Sequence, residues 1–197
     1  MIHKSDTICA LATAYGQSGI GVIRVTGPLA KSISKKILHQ DLESRYAYYG
    51  NFFDDDNNLI DKGVAISFPG PNSYTGEDVV EFQGHGGISV IRKLLETIIS
   101  LDVRLAEPGE FTKRAFLNGK MDLVQAEAVQ DLIQSNSEES ALSAVRSLTG
   151  EFSEKVNQIL SELISLRVFV EATIDFSDEE IDFLESHEVS SKLHSLQ

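Results

Sequence analysis

Cysteine is nearly missing from this chain: Cys9 stands alone among 197 residues. A disulfide framework and an all-cysteine metal site within one chain are thereby excluded, and Cys9 reads as a small residue of a buried strand, not as a reactive thiol. Proline occurs only 4 times and no apolar run approaches the length of a membrane span, while 42% apolar residues is the share of an ordinary globular protein. The opening MIHKSDTICALATAYG holds an apolar stretch too short, and too interrupted by Thr and Gly, for a signal peptide. A cytoplasmic protein is expected. Positive charge is also scarce, but unevenly so. Residues 1–118 carry 12 basic and 14 acidic residues, whereas residues 119–197 carry 5 and 16. So acidic a second part repels a phosphate backbone, which makes it a poor surface for tRNA or DNA. The asymmetry and the length both point to two parts, 1–118 and 119–197.

What is present in the first part is a mixture of strand and helix signals. TICALAT and IGVIRVTGP, separated by AYGQSG, read as two strands joined by a glycine-rich loop. Leu29 to Leu38 reads as a short helix. Tyr46–Phe53 and Gly63–Phe68, on either side of DDDNN, read as a hairpin. The Asp54, Asp56, Asn58 spacing is that of a calcium loop, but Leu59 occupies the position that requires Gly, so a solvated turn is expected. EDVVEFQ reads as a strand, GHGG as a turn, and the run with Ile91, Leu94, Leu95 and Ile98 on one face as a helix. Strands in adjacent groups predict an α+β domain with a mixed, largely antiparallel sheet. Beyond Pro108 only helices are expected. Asp122 with Gln125 is a capping-box signature ahead of a face made by Leu123, Ala126, Val129, Leu132 and Ile133, expected to be buried. Ser137 caps a second helix through Leu148, which Gly150 ends. Phe152, Val156, Ile159, Leu160, Leu163, Leu166 and Val170 mark a long amphipathic third helix. A further helical run leads into SSKLHSLQ without a stop signal, as expected of a fragment.

GQSGIG invites a nucleotide reading, but the strand-like VIRVTG follows where a dinucleotide or P-loop motif requires a helix. GxxxxGK[ST] does not occur, so this chain alone is not expected to hydrolyse GTP. Three residues remain. Arg24, in VIRVT, shares a strand face with Val22 and Thr26; Glu81, in VVEFQ, points opposite to Val80 and Phe82; Lys120 precedes a helix. Each has a plain explanation as a solvated charge. Together they match a folate, whose pterin edge offers paired donors to a carboxylate and whose glutamate tail seeks Arg or Lys. His85, between two glycines, has the chemistry to polarise a one-carbon group, or is simply a turn histidine. No Ser/His/Asp triad or histidine metal cluster can be assembled.

The blocks DTICALATAYGQSGIGVIRVTGP, FPGPNSYTGEDVVEFQGHGG and EPGEFTKRAFLNGKMDLVQAEAVQDLI resemble successive signatures of the tRNA-modification GTPase family known as MnmE or TrmE. LRVFVEATIDFSDEEIDF looks like the helical domain of that family. The resemblance implies an amino-terminal domain similar to folate-dependent aminomethyltransferases, which binds a tetrahydrofolate derivative (5-formyl- or methylene-tetrahydrofolate) through Arg24, Glu81 and Lys120 and forms a homodimer. For the intact protein it implies GTP, Mg and K in a GTPase domain expected to be missing here. It also implies an FAD-dependent partner, with which the protein adds a carboxymethylaminomethyl or aminomethyl group to C5 of the wobble uridine of tRNA. Which base meets the glutamate tail stays open. Two rivals remain: a dimerisation and docking scaffold for the flavoprotein, and a stand-alone folate-dependent aminomethyltransferase.

Overall fold

The computed structural model describes residues 6–175, with side chains as far as residue 172. It divides into two compact units, Met1–Met121 and Asp122–Gln197. The helical run expected near the end of the chain, and SSKLHSLQ with it, lies outside the described residues.

The first unit is α+β. Its strands are β1 (Ile8–Leu11), β2 (Ser18–Thr26), β3 (Tyr48–Phe53), β4 (Leu59–Phe68), β5 (Val79–Gly86) and β6 (Arg104–Leu105), in the sheet order β3-β4-β5-β2-β1-β6. Every pairing is antiparallel except β1 with β6. Alternation gives these strands one apolar face: Ile23 and Val25 of β2, Val80 and Phe82 of β5, Ala65 of β4 and Phe52 of the edge strand β3 are fully buried. Helices α1 (Ala30–Leu38) and α2 (Ile88–Ser100) cover that face with Ile33, Ile37, Ile91, Leu94 and Ile98. Cys9 lies in the same core, and burial pushes its thiol up to about 11.

The opposite face carries the charged residues and is roofed differently. The long β4–β5 loop folds over it, and α3 (Glu110–Leu117) closes beside that loop. Thr75, fully buried, shares a 2.6 Å hydrogen bond with Thr26 of β2, and Tyr74 Oη lies 2.9 Å from Thr112 Oγ1 of α3. Asn118 Nδ2 donates to the Thr75 carbonyl at 2.7 Å. The loop is thus pinned to both the sheet and α3 by polar contacts.

Two elements differ from the sequence expectation. Gly84, His85 and Gly86 are not a turn: β5 continues through them, and Gly84 and Gly86 pair with Gly21 and Ser18 of β2. Glycine signalled a break, and the neighbouring strand overrode it. β6 was not anticipated, and α3 falls in the stretch beyond Pro108 where helices were expected, though its bounds were not named. β6 has only two residues, too few for any periodicity.

The second unit is helical: α4 (Leu123–Gln134), α5 (Glu138–Leu148) and α6 (Glu151–Asp175). Asp122 accepts from the Gln125 amide while the Gln125 side chain accepts from the Asp122 amide, each at 2.9 Å, completing the capping box. Ser137 caps α5, and Gly150 follows it with φ +93°. We expect Asp122→Ala to cost about 0.5–2 kcal/mol of helix stability, measured by urea titration of the far-UV circular dichroism, because the Gln125 amide loses its acceptor. The apolar face expected to be buried on α4 is so only in part: Ala126, Val129 and Leu132 are half-buried, Leu123 and Ile133 are exposed, and within α4 only Ala128 is fully buried. The apolar stripe of α6, from Phe152 to Leu163, is about half exposed as well. Periodicity defined these faces correctly; it does not say what covers them.

Candidate functional site

Arg24 and Glu81 are brought together by register. β2 and β5 run antiparallel with Arg24 directly opposite Glu81. The Arg24 guanidinium donates through Nε and Nη2 to one carboxylate oxygen, Oε1, at 2.8 and 2.7 Å. Two rings flank the cation, Tyr74 with its centroid 5.3 Å and Phe111 with its centroid 5.9 Å from Cζ, within the range of cation–π attraction. The pair is therefore held on three sides, by the sheet, the β4–β5 loop and α3. Its side chains are 30% and 15% exposed. Among the described residues Glu81 Oε2 meets only the Gln83 side-chain amide, at a long 3.4 Å. One carboxylate oxygen thus keeps acceptor capacity toward the open side.

Lys120 does not join this pair. It stands just past α3, its amide donating to the Ala115 carbonyl at 2.9 Å. Its side chain is exposed, without a hydrogen bond or ion pair among the described residues. Its stem lies against Gly76, the residue that leaves the β4–β5 loop at φ +79°: a Cβ built there would come within 3.4 Å of Lys120 Cγ and Cδ. Arg24 and Lys120 thus flank the same loop, one under Tyr74 and one beside Gly76.

His85 lies on the same strand as Glu81. Its Nδ1 is 2.8 Å from Asp61 Oδ1, and its amide donates to Asp61 Oδ2 at 2.7 Å. Burial works to raise the Asp61 carboxyl, but the hydrogen bonds from the His85 amide and ring and the Lys62 amide outweigh it and hold the group below the usual carboxylate range.

A second charged cluster sits where the chain start meets α3, and sequence reasoning missed it. Arg114, only 9% exposed, donates to Asp6 at 2.7 Å and to Glu77 and Glu110, each at 3.1 Å. Arg104 closes the ring on Asp6 and Glu110, both at 2.8 Å. Hydrogen bonds from Arg104 hold the Glu110 carboxyl down to about 2. Glu77 also accepts from Thr26 at 3.1 Å, so this cluster anchors the loop that carries Tyr74. With partners up to 108 residues apart, no local motif announces it.

Such a sheet unit followed by a helical unit is matched by two known families in tandem. Residues 7–120 match the family described as GTP-binding protein TrmE N-terminus, and residues 123–197 match the MnmE helical domain. The chain belongs to the MnmE (TrmE) family. The relative named tRNA modification GTPase MnmE in Vesicomyosocius okutanii is 59% identical over 197 residues, covering 100% of this chain and 44% of the relative. The proteins of that name in Ruthia magnifica and Ectopseudomonas mendocina are 59% and 51% identical, again over 100% of this chain and 44% and 43% of their own lengths. The chain thus spans less than half the length of these curated relatives.

Proposed function

We propose that residues 7–120 form the folate-binding part of a tRNA-modifying GTPase, with Glu81 as the pterin anchor. The observation that carries this reading is the Arg24–Glu81 pair: a carboxylate fixed by a guanidinium, with one oxygen still able to accept, next to two aromatic rings. A flat heterocycle with an amidine-like donor edge fits that combination, since the edge needs an acceptor and its faces need apolar or aromatic cover. Arg24 then acts chiefly by holding Glu81, and Lys120, exposed and uncommitted, is the base left for the anionic glutamate tail.

In the intact protein the bound tetrahydrofolate derivative supplies the one-carbon unit. An FAD-dependent partner works with it to add an aminomethyl or carboxymethylaminomethyl group at C5 of the wobble uridine of tRNA. GTP, Mg and K act at a separate GTPase domain, in a cytoplasmic homodimer. The acidic residues 119–197 repel a phosphate backbone, so tRNA contacts are assigned to other surfaces.

Titration of the chain with 5-formyl-tetrahydrofolate by calorimetry, with light scattering to establish the oligomeric state, tests the reading. Saturable binding supports it. A folded dimer that binds no folate overturns it and favours the docking scaffold.

A further inference from the structure

The sheet forks beside His85. The β4–β5 ladder ends at Val64 opposite Gln83, while β4 stays paired with β3 back to Leu59 and β5 stays paired with β2 out to Gly86. Asp61 fills the fork, its side chain 10% exposed, and both its oxygens are engaged by His85. Room for the carboxylate depends on glycine: a Cβ at Gly84 would stand 2.5 Å from Asp61 Oδ2. The glycine that reads in sequence as a turn is the space in which Asp61 sits.

The carboxylate fixes the imidazole through Nδ1 and leaves Nε2 pointing away from it, on a ring that is 71% exposed. A buried carboxylate behind a histidine whose second nitrogen is free is the arrangement that orients a proton-transferring imidazole and fixes its tautomer. Strand alternation sets Glu81, Gln83 and His85 on one face, with Val80, Phe82 and Gly84 turned to the core. Four residues of strand separate Glu81 from His85 by about 13 Å, the scale of a pterin with its aminobenzoate. The other charged group at the fork is Lys62, whose Nζ lies over the Tyr49 ring at 5.0 Å; across β5, the β2 segment Ser18–Gly21 contributes nothing that titrates.

We propose that His85, oriented by Asp61, is the acid–base residue of the folate face, exchanging a proton between Nε2 and a nitrogen of the one-carbon carrier. This rests on the reading of Glu81 as the pterin anchor. In the transfer the Nε2–H bond breaks as an N–H bond forms on the ligand nitrogen. The electron pair stays on Nε2, and the Nδ1 proton remains on the hydrogen bond to Asp61, which stays ionised.

The test is a proton NMR titration of the full chain, with the His85 ring signal identified by its loss in His85→Gln. Saturating 5-formyl-tetrahydrofolate is expected to raise the His85 titration midpoint by at least about half a pH unit, since the ligand contacts the protonated form. In the free chain, Asp61→Asn is expected to lower the midpoint. Folate that binds while the midpoint stays put or falls overturns the inference and leaves the Glu81 reading intact. Failure of the unaltered chain to bind folate overturns both, and an Asp61→Asn midpoint equal to that of the unaltered chain removes Asp61 from the device.

Discussion

Arg114→Ala is expected to be the most damaging single substitution in the first unit, costing about 3–5 kcal/mol, the range for removing one partner of a buried ion pair. The loss does not come mainly from the vanished attraction. Glu110 keeps Arg104 and Asp6 keeps Arg104, but Glu77, 15% exposed, is left with only the Thr26 hydroxyl. An unpaired carboxylate then stays in a site built for a guanidinium. Urea unfolding reads the effect as a midpoint lowered by roughly 1–5 M at an ordinary denaturant dependence. Arg114→Lys keeps the charge without the fork and should lose less, while Glu77→Gln in the Arg114→Ala background should recover part of the loss. If Arg114→Ala unfolds at the same urea concentration as the unaltered chain, the cluster does not hold the β4–β5 loop in place.

The same cluster sets an acid limit. The Glu110 carboxyl is held at about 2 against an ordinary 4.5, and Asp6 is also lowered, chiefly by its hydrogen bond from Arg104. Because the folded state keeps these groups ionised more strongly than the unfolded state does, their contribution is complete above about 4.5. It is lost as pH falls toward about 2. The unit carrying the candidate site should therefore soften in acid through its roof, starting at α3.

Where the sequence was informative, the information was local. The hairpin pattern, the Asp122 and Ser137 caps, the short helix α1 and the apolar face of α2 each lie within a few residues, and each is where periodicity and capping place it. Arg24 and Glu81 were legible as charges in apolar strands, but their direct opposition depends on the register of two strands 57 residues apart. His85 shows the opposite failure: the glycines around it signalled a turn, and only the forked sheet reveals that one of them, Gly84, makes room for Asp61. The Arg114 cluster was invisible because its residues are ordinary charges until the fold gathers them. On α4 the pattern was read correctly and the burial only in part, since a helix of alternating apolar and polar faces carries no record of its partner.

Glu81→Ala is expected to weaken binding of 5-formyl-tetrahydrofolate at least tenfold, as loss of a charge-assisted hydrogen bond costs about 1.5–3 kcal/mol. The informative comparison adds Arg24→Ala and the double variant. Arg24 spends both of its bonding nitrogens on Glu81 Oε1, with aromatic rings nearby. If it acts by holding that carboxylate, its removal leaves Glu81 free to swing and also costs about tenfold. The double variant then binds no worse than Glu81→Ala, a coupling of roughly 1.4 kcal/mol. If Arg24 instead meets an anionic part of the ligand itself, the two losses multiply to about a hundredfold. Circular dichroism of each variant must match the unaltered chain, since Arg24 lies in a sheet that the whole unit depends on. Multiplying losses would return Arg24 to the glutamate tail and release Lys120 from it. Coupled losses, with a further fall in Lys120→Ala, would give the tail to Lys120 and make Arg24 the residue that fixes the direction in which Glu81 accepts.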